Sequence, residues 1–197
     1  MPSDPDLTDD AWRLLHEIRL RGMLDADGQS RADDLESSGL IARKASFLVL
    51  TPAGREAHAA WALLPDDSEE RNAARRTYEN FLPMNRELLQ VCHDWQVTSG
   101  GAPNDHSDKA YDWAVIDRLA ALDERAGPLV RRLGRKVSRF GDYRSRLRDA
   151  LRRVQDGENE WFASPRCDSY HTVWMQFHED LLAAVGVGRD EEAEAAS

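Results

Sequence analysis

The stretch GLIARKASFLVLTPAGR, at residues 39–55, decides the fold of the first part of the chain. Residues 40–50 are rich in side chains that favour strands, arranged around the basic pair Arg43-Lys44, which predicts two short strands. Thr51 and Pro52 then suit the N-cap and the first position of a helix. The stretch therefore predicts a strand pair that leads into a helix ending near residue 65.

Two helices are predicted before this strand pair. Thr8 is an N-cap signal, and the apolar side chains of residues 12–20 follow it at the spacing of an amphipathic helix. This helix ends at Gly22, and a turn follows it. A second, short helix is predicted over residues 30–38, and Gly39 is the residue that stops it.

The order of helix, short helix, strand pair and helix has a known counterpart. Together with GLIARK at 39–44 and LTPAGR at 50–55, it resembles the wing and following helix of MarR-like winged-helix transcriptional regulators. Such domains place a recognition helix in the major groove and their wing on the DNA backbone. The resemblance implies four DNA-binding candidates, which are Arg31, Arg43, Lys44 and Arg55.

The segment before the strand pair departs from the helix-turn-helix pattern. That motif has two helices joined by a turn of about three or four residues. Here the 18 residues 22–39 hold one turn and one short helix, whose acidic residues outnumber the single Arg31. Because phosphates repel acidic side chains, we expect a degenerate winged helix that reads DNA poorly.

The second part of the chain has no strand pattern. The polar segment 65–68 is the predicted boundary between a winged-helix-like module (1–65) and a helical ligand-binding domain (66–189), before an acidic tail (190–197). A bend is expected at Pro83, a break near Gly127-Pro128, and a helix cap at Asp105 or Ser107. The predicted fold class is mainly α, with a short β wing and a C-terminal bundle of four or five helices.

The helical part contains three polar clusters that are candidates for a small-molecule pocket. They lie at residues 85–95, at 104–108 and at 170–181, where His171 and His178 share one helix face around Trp174. These two histidines lie about 10.5 Å apart along the helix axis, too far for easy joint binding of one metal ion. Core packing is an equal alternative to a pocket. The ligand-binding candidates are Asn85, Trp95, Asn104, Asp105, His106, Asp108, Tyr170, His171, Trp174, His178 and Glu179; no metal ligand is assigned.

Residues 68–189 also resemble an actinobacterial family usually described as putative transcriptional regulators. The resemblance is carried by FLPMN at 81–85, CHDWQ at 92–96, NDHSD at 104–108, SYHTVW at 169–174 and HEDLL at 178–182. It implies a role in regulation, and implies neither a particular ligand nor a reaction.

The net charge of −10 is unevenly distributed. Residues 118–153 carry twelve basic and four acidic side chains, a net of +8, so the rest of the chain holds −18. This distribution excludes a protein that binds nucleic acid over its whole surface, and it does not exclude a local basic binding face. The basic segment is either a face for an anionic partner or a pair of solvated helices whose arginines bind acidic neighbours.

The sequence lacks the signals that are typical of several classes of protein. The sequence has no long apolar run and no secretory leader pattern, and Cys92 and Cys167 form no CxxC pair, which predicts a cytoplasmic protein with two free thiols. It also lacks GxSxG, P-loop and GxGxxG motifs.

The functional prediction is a ligand-responsive transcriptional regulator, acting as a homodimer, with an unknown cofactor and no membrane partner. A small molecule bound between the helices would change the spacing of two winged modules. Two alternatives stay open. One is an enzyme or a cofactor- or metal-binding protein that uses the His/Asp/Trp pocket without DNA. The other is an adaptor that uses the basic face.

Overall fold

The computed structural model describes residues 7–188. Over this range the chain is mainly helical with one small antiparallel sheet, which confirms the predicted fold class. It divides into two compact units, one formed by residues 7–64 and 182–188 and the other by Pro65–Leu181. The acidic tail expected at 190–197 lies outside the described residues.

The first unit contains three helices and three strands. The strands pair antiparallel in the order β1-β3-β2, with Leu24 opposite Leu48 and Ile41 opposite Leu50. In chain order the elements are α1 (Asp9–Arg21), β1 (Leu24–Asp25), α2 (Ala32–Ser37), β2 (Ile41–Lys44), β3 (Phe47–Leu50) and α3 (Pro52–Ala62). The hairpin β2–β3 therefore follows α2 and precedes α3, at the place of the predicted wing.

Side-chain caps explain where α1 and α3 begin. Thr8 accepts a hydrogen bond from the amide of Ala11, and Thr51 accepts one from the amide of Gly54, as predicted for N-cap residues. Apolar side chains of α1, α2 and the hairpin form one core, among them Leu15 and Leu48, which have no exposed surface. Burial of these side chains stabilises helices that are too short to form alone.

The second unit is helical. In the described chain its elements are α4 (Glu69–Gln96), α5 (Lys109–Lys136), a 3-10 turn (Ser138–Phe140), α6 (Tyr143–Gln155), α7 (Glu160–Ala163) and α8 (Tyr170–Val185). The last residues of α8, from Leu182 onward, are grouped with the first unit. Ser68 caps α4 by accepting a hydrogen bond from the amide of Arg71.

The prediction of a helix break near Gly127-Pro128 is wrong, because α5 continues through both residues. Proline removes one helical hydrogen bond. Here the buried residues Ala126 and Val130 hold the helix in the core on either side. Gly127 also lets the Arg144 guanidinium approach, since a Cβ atom at this position would lie 2.9 Å from its Cζ. Packing therefore overrides the local signal.

Two further boundaries differ from the prediction. The cap of α5 is Asp108, which accepts hydrogen bonds from the amides of Ala110 and Tyr111, rather than Asp105 or Ser107. Asp105 instead accepts from the amide and hydroxyl of Ser107. The segment 157–165, whose sequence predicts only a connection between two helices, contains the short helix α7. Asp105, Ser107 and Asp108 can each form a local hydrogen bond to a nearby amide, and the sequence alone does not show which of them caps α5.

Candidate functional site

The structure does not bring the eleven ligand-binding candidates together at one place. Trp95, Asn104 and His106 meet at the loop between α4 and α5. Another group lies along α8, where Tyr170, Trp174 and His178 are linked by ring contacts to one another or to Phe81. The two groups have different surroundings and are described separately.

The α8 group forms part of the core. Tyr170 and Trp174 have no exposed surface. The indole of Trp174 stacks on Phe81 at 4.8 Å and donates a hydrogen bond to Asn85 Oδ1 at 3.0 Å. These residues fill the interior of the helical unit, and the polar atoms of Tyr170 and Trp174 bind other side chains of that unit, which favours the core-packing alternative.

The remaining α8 candidates, His171, His178 and Glu179, differ in burial. His178 is 5% exposed and its ring lies against Phe81, while Glu179 is also buried. His171 is half-buried, and burial lowers the pKa of its imidazole. A histidine in this position is neutral near neutral pH, because charging it would cost desolvation.

The same core holds two carboxylates that the sequence analysis missed. Asp123 is 4% exposed and accepts hydrogen bonds from Arg144 Nη1 at 2.6 Å and from the Tyr170 hydroxyl at 3.1 Å. Burial, together with this carboxylate, raises the pKa of Tyr170 well above its usual value. The available signal was weak, namely an acidic residue on the apolar face of α5.

Asp180 has a comparable environment. It has no exposed surface and accepts from Arg139 Nε at 2.8 Å and from the Tyr143 hydroxyl at 3.3 Å. Burial and the Asp180 charge raise the pKa of Tyr143. Both carboxylates thus serve as acceptors inside the unit, where each would be costly without its arginine.

The loop site is built around His106. Its Nδ1 atom lies 3.0 Å from Oδ1 of Asp112, whose side chain is buried, and its ring lies 4.4 Å from the ring of Trp95. Trp95 in turn stacks on Phe162 at 4.3 Å. His106 adopts φ +60°, a backbone conformation that non-glycine residues rarely hold unless surrounding contacts fix it.

Asn104 supplies those contacts. Its Oδ1 accepts from the amide of His106, and its Nδ2 donates to Trp95 O and to Asp112 Oδ1, all at 3.0 Å. The backbone bond from Asn104 to the carbonyl of Gln96, at 2.8 Å, closes the loop. A buried carboxylate that orients a partly exposed imidazole is an arrangement found in general bases and nucleophiles. Asp112 was missed, although it lies one turn beyond the cap residue Asp108.

Most of the DNA-binding candidates are engaged within the first unit. Arg43 binds Asp33 at 2.5 Å and Glu36 at 2.8 Å, so the acidic side chains of α2 hold the arginine of the wing. Arg31 pairs with an aspartate of α2, and Arg55 donates to a backbone carbonyl of β3. Lys44 is exposed and makes no ion pair within the described residues.

The basic segment 118–153 is largely neutralised by its neighbours. Eight of its twelve cations pair with carboxylates, namely Arg118, Arg125, Lys136, Arg139, Arg144, Arg146, Arg152 and Arg153. The other four are exposed and form no ion pair within residues 7–188; they are Arg131, Arg132, Arg135 and Arg148. This supports the interpretation of solvated helices with internal ion pairs over that of an extended basic face.

The remaining chemistry-bearing groups give no further site. Both cysteines are free, and burial raises the pKa of Cys92 to about 12, so this thiol stays protonated. Within residues 7–188, no three His, Cys, Asp or Glu side chains are arranged to hold a metal ion. None of the described helices combines the length and the apolar character needed to cross a membrane.

Comparison with protein-family models, with curated proteins and with solved structures found no match to this chain. The resemblance to winged-helix regulators therefore stays a prediction.

Proposed function

We propose that this chain is a ligand-responsive transcriptional regulator whose degenerate winged helix contacts DNA through its wing alone. The observation that carries the proposal is the order α1-β1-α2-β2-β3-α3, with the β2–β3 hairpin at the place of a wing. A wing touches the DNA backbone, whereas bases are read by a helix in the major groove. The six-residue α2 is too short and too acidic for that second task.

The charges around the wing determine how strongly it binds DNA. Lys44 is the exposed cation of the hairpin, and Arg43 is drawn toward Asp33 and Glu36. Few phosphates can then be neutralised, so we expect weak, salt-sensitive binding without base preference. Dimerisation would place two wings on one duplex, and a ligand of the helical unit would act by favouring one packing of the dimer.

Releasing Arg43 tests this proposal. The double variant Asp33→Asn/Glu36→Gln removes two negative charges beside the wing and frees its arginine. We expect its affinity for a labelled random-sequence duplex to rise about tenfold over the unmodified protein at about 50 mM salt, since each new phosphate contact adds to the counterion-release term. Fluorescence anisotropy measures the binding. The single variant Lys44→Ala is expected to abolish the DNA binding of the otherwise unmodified protein.

The matched control is Asp9→Asn/Asp10→Asn, which changes the charge equally on α1. Its effect on binding is expected to be small, because these residues do not contact the wing arginine. If neither the unmodified protein nor the Asp33→Asn/Glu36→Gln variant binds DNA at low salt, the regulator proposal is wrong. Equal gains in both double variants would show that only net charge matters and would also contradict a specific role of the wing.

A second function is favoured by the His106–Asp112 pair, namely an enzyme or a ligand-binding protein that works without DNA. Asp112 holds Nδ1 of the imidazole, and Nε2 makes no hydrogen bond within the described part of the chain. The side chain of His106 is 27% exposed, so a small molecule can reach it. The backbone strain at His106 is typical of residues kept for a function.

Hydrolysis of an activated ester, para-nitrophenyl acetate, measures whether His106 acts as a nucleophile or base. We expect His106→Ala to remove most of the activity, because an oriented imidazole raises such rates by about 10²-fold or more. His93→Ala is the control, since His93 is exposed on α4 and makes no hydrogen bond to a carboxylate within residues 7–188. Equal rates for the two variants would reject a catalytic role of the pair.

A further inference from the structure

We infer that a cleft between α6, α7 and the segment before α8 binds a zwitterionic small molecule of the amino-acid class. The cleft has a volume of about 290 Å³ and is lined by Ser145, Arg146, Asp149, Trp161 and Asp168. None of the sequence-derived ligand candidates lines it. The inference goes beyond the proposed function and holds whether or not the wing contacts DNA.

Arg146 provides the anion-binding half of the cleft. Its Nε and Nη2 atoms donate to Asp168 Oδ2 at 3.3 and 3.0 Å, and Nη2 also donates to Gln176 Oε1 at 2.5 Å. Its Nη1 atom lies 3.8 Å from a carboxylate oxygen of Asp142, which is too long for a hydrogen bond. Two N–H donors of a fixed guanidinium therefore remain for a ligand.

A buried residue that does not line the cleft, Gln176, holds the guanidinium in place. The residue is 4% exposed, and its Nε2 atom has no hydrogen-bond partner within the described residues. Its Oε1 accepts from Arg146 Nη2, so Gln176 and Asp168 together fix the guanidinium and leave Nη1 as the nitrogen that can donate to a ligand. A carboxylate bound at Arg146 would accept from the two N–H groups of Nη1, and charge-assisted bonds of this type are strong.

Another part of the cleft suits a cation. Asp149 lines it and makes no hydrogen bond to Arg146 within the described residues, and the Trp161 ring already holds a cation, the Arg153 guanidinium, 4.2 Å from its centroid. The pairs that Asp149 makes with Arg152 and Arg153 are exposed, and such pairs are readily exchanged for another cation. An ammonium group next to a carboxylate matches these two halves.

The size of the cleft limits the ligand to a small molecule. Its volume lies just below the range of about 300–1,000 Å³ found for ligand pockets. An amino acid brings one carboxylate, one ammonium and a side chain of moderate size. We therefore expect the carboxylate at Arg146, the ammonium at Asp149, and the side chain against Trp161.

The test uses the whole chain and each of the twenty standard L-amino acids as probes. Thermal-shift screening at up to about 10 mM, which detects ligands with a Kd of about 1 mM or lower, selects the best binder. Isothermal titration calorimetry then compares this amino acid with its carboxamide and its N-acetyl derivative. We expect each derivative to bind at least tenfold more weakly, because each lacks one of the two charges.

Two variants locate the site. Arg146→Met is expected to abolish binding. Arg148 is an exposed arginine two residues away on α6, and Arg148→Met is expected to leave binding unchanged. If Arg146→Met does not fold, as judged by circular dichroism, Trp161→Leu replaces it and is expected to weaken binding. The inference is overturned if no amino acid binds at the highest concentration, if the derivatives bind as well as the amino acid, or if a folded cleft variant binds normally.

Discussion

Replacing Asp123 with alanine is expected to lower the free energy of unfolding of the helical second unit by about 3 kcal/mol. The carboxylate is the acceptor for Arg144 and for the hydroxyl of Tyr170, and Tyr170 has no exposed surface. Its removal leaves a guanidinium and a buried hydroxyl without their partner. The Arg144 side chain is 24% exposed, so water compensates part of the loss. The expected loss of unfolding free energy therefore lies at the lower end of the range for substitutions that break a buried ion pair.

Urea denaturation followed by circular dichroism measures the change. The control is Glu87→Ala, which removes an ion pair of the same length, 2.6 Å, between the exposed faces of α4 and α5. This control is expected to change the unfolding free energy little, because exposed pairs contribute little. Equal effects of the two substitutions would mean that Asp123 is not an anchor of the helical unit.

The starts of the long elements could be predicted because their signals are local. Thr8, Thr51 and Ser68 each cap a helix through a bond to an amide three residues further on. The strand pair around Arg43-Lys44 also follows from nearby residues, since β2 and β3 are joined by a turn. Such features depend on a few neighbouring side chains and need no knowledge of the rest of the fold.

The candidate site could be predicted only in part, because its partners are distant in sequence. Asn104 and His106 were identified from their loop, but the buried acceptor Asp112 reads as an ordinary first-turn acidic residue. Tyr170 and Asp123 are 47 residues apart, and no local pattern connects them. The sequence likewise does not distinguish a polar stripe in a pocket from one in a core, so Trp174 and His178 remained ambiguous until their burial was known.

The glycine in LTPAGR explains why this motif accompanies a hairpin. A Cβ atom on Gly54 would lie 1.9 Å from the carbonyl oxygen of Leu40, at the start of the hairpin. That carbonyl is already fixed by hydrogen bonds from the amide and the hydroxyl of Thr51, both at 3.1 Å. The first turn of α3 therefore rests directly on the backbone that leads into β2, and only glycine permits this approach.

Gly54→Ala is expected to destabilise the first unit by about 3 kcal/mol, because the added methyl group forces α3 away from the hairpin. Hydrogen exchange of the β2 and β3 amides measures this, since a chain of two units need not unfold in one transition. Ala53→Ser, at the exposed neighbouring position, is the control and should leave protection unchanged. Unchanged protection in Gly54→Ala would contradict the close contact between α3 and Leu40. Lost protection would mean that this contact, set by a single glycine, holds the wing in place.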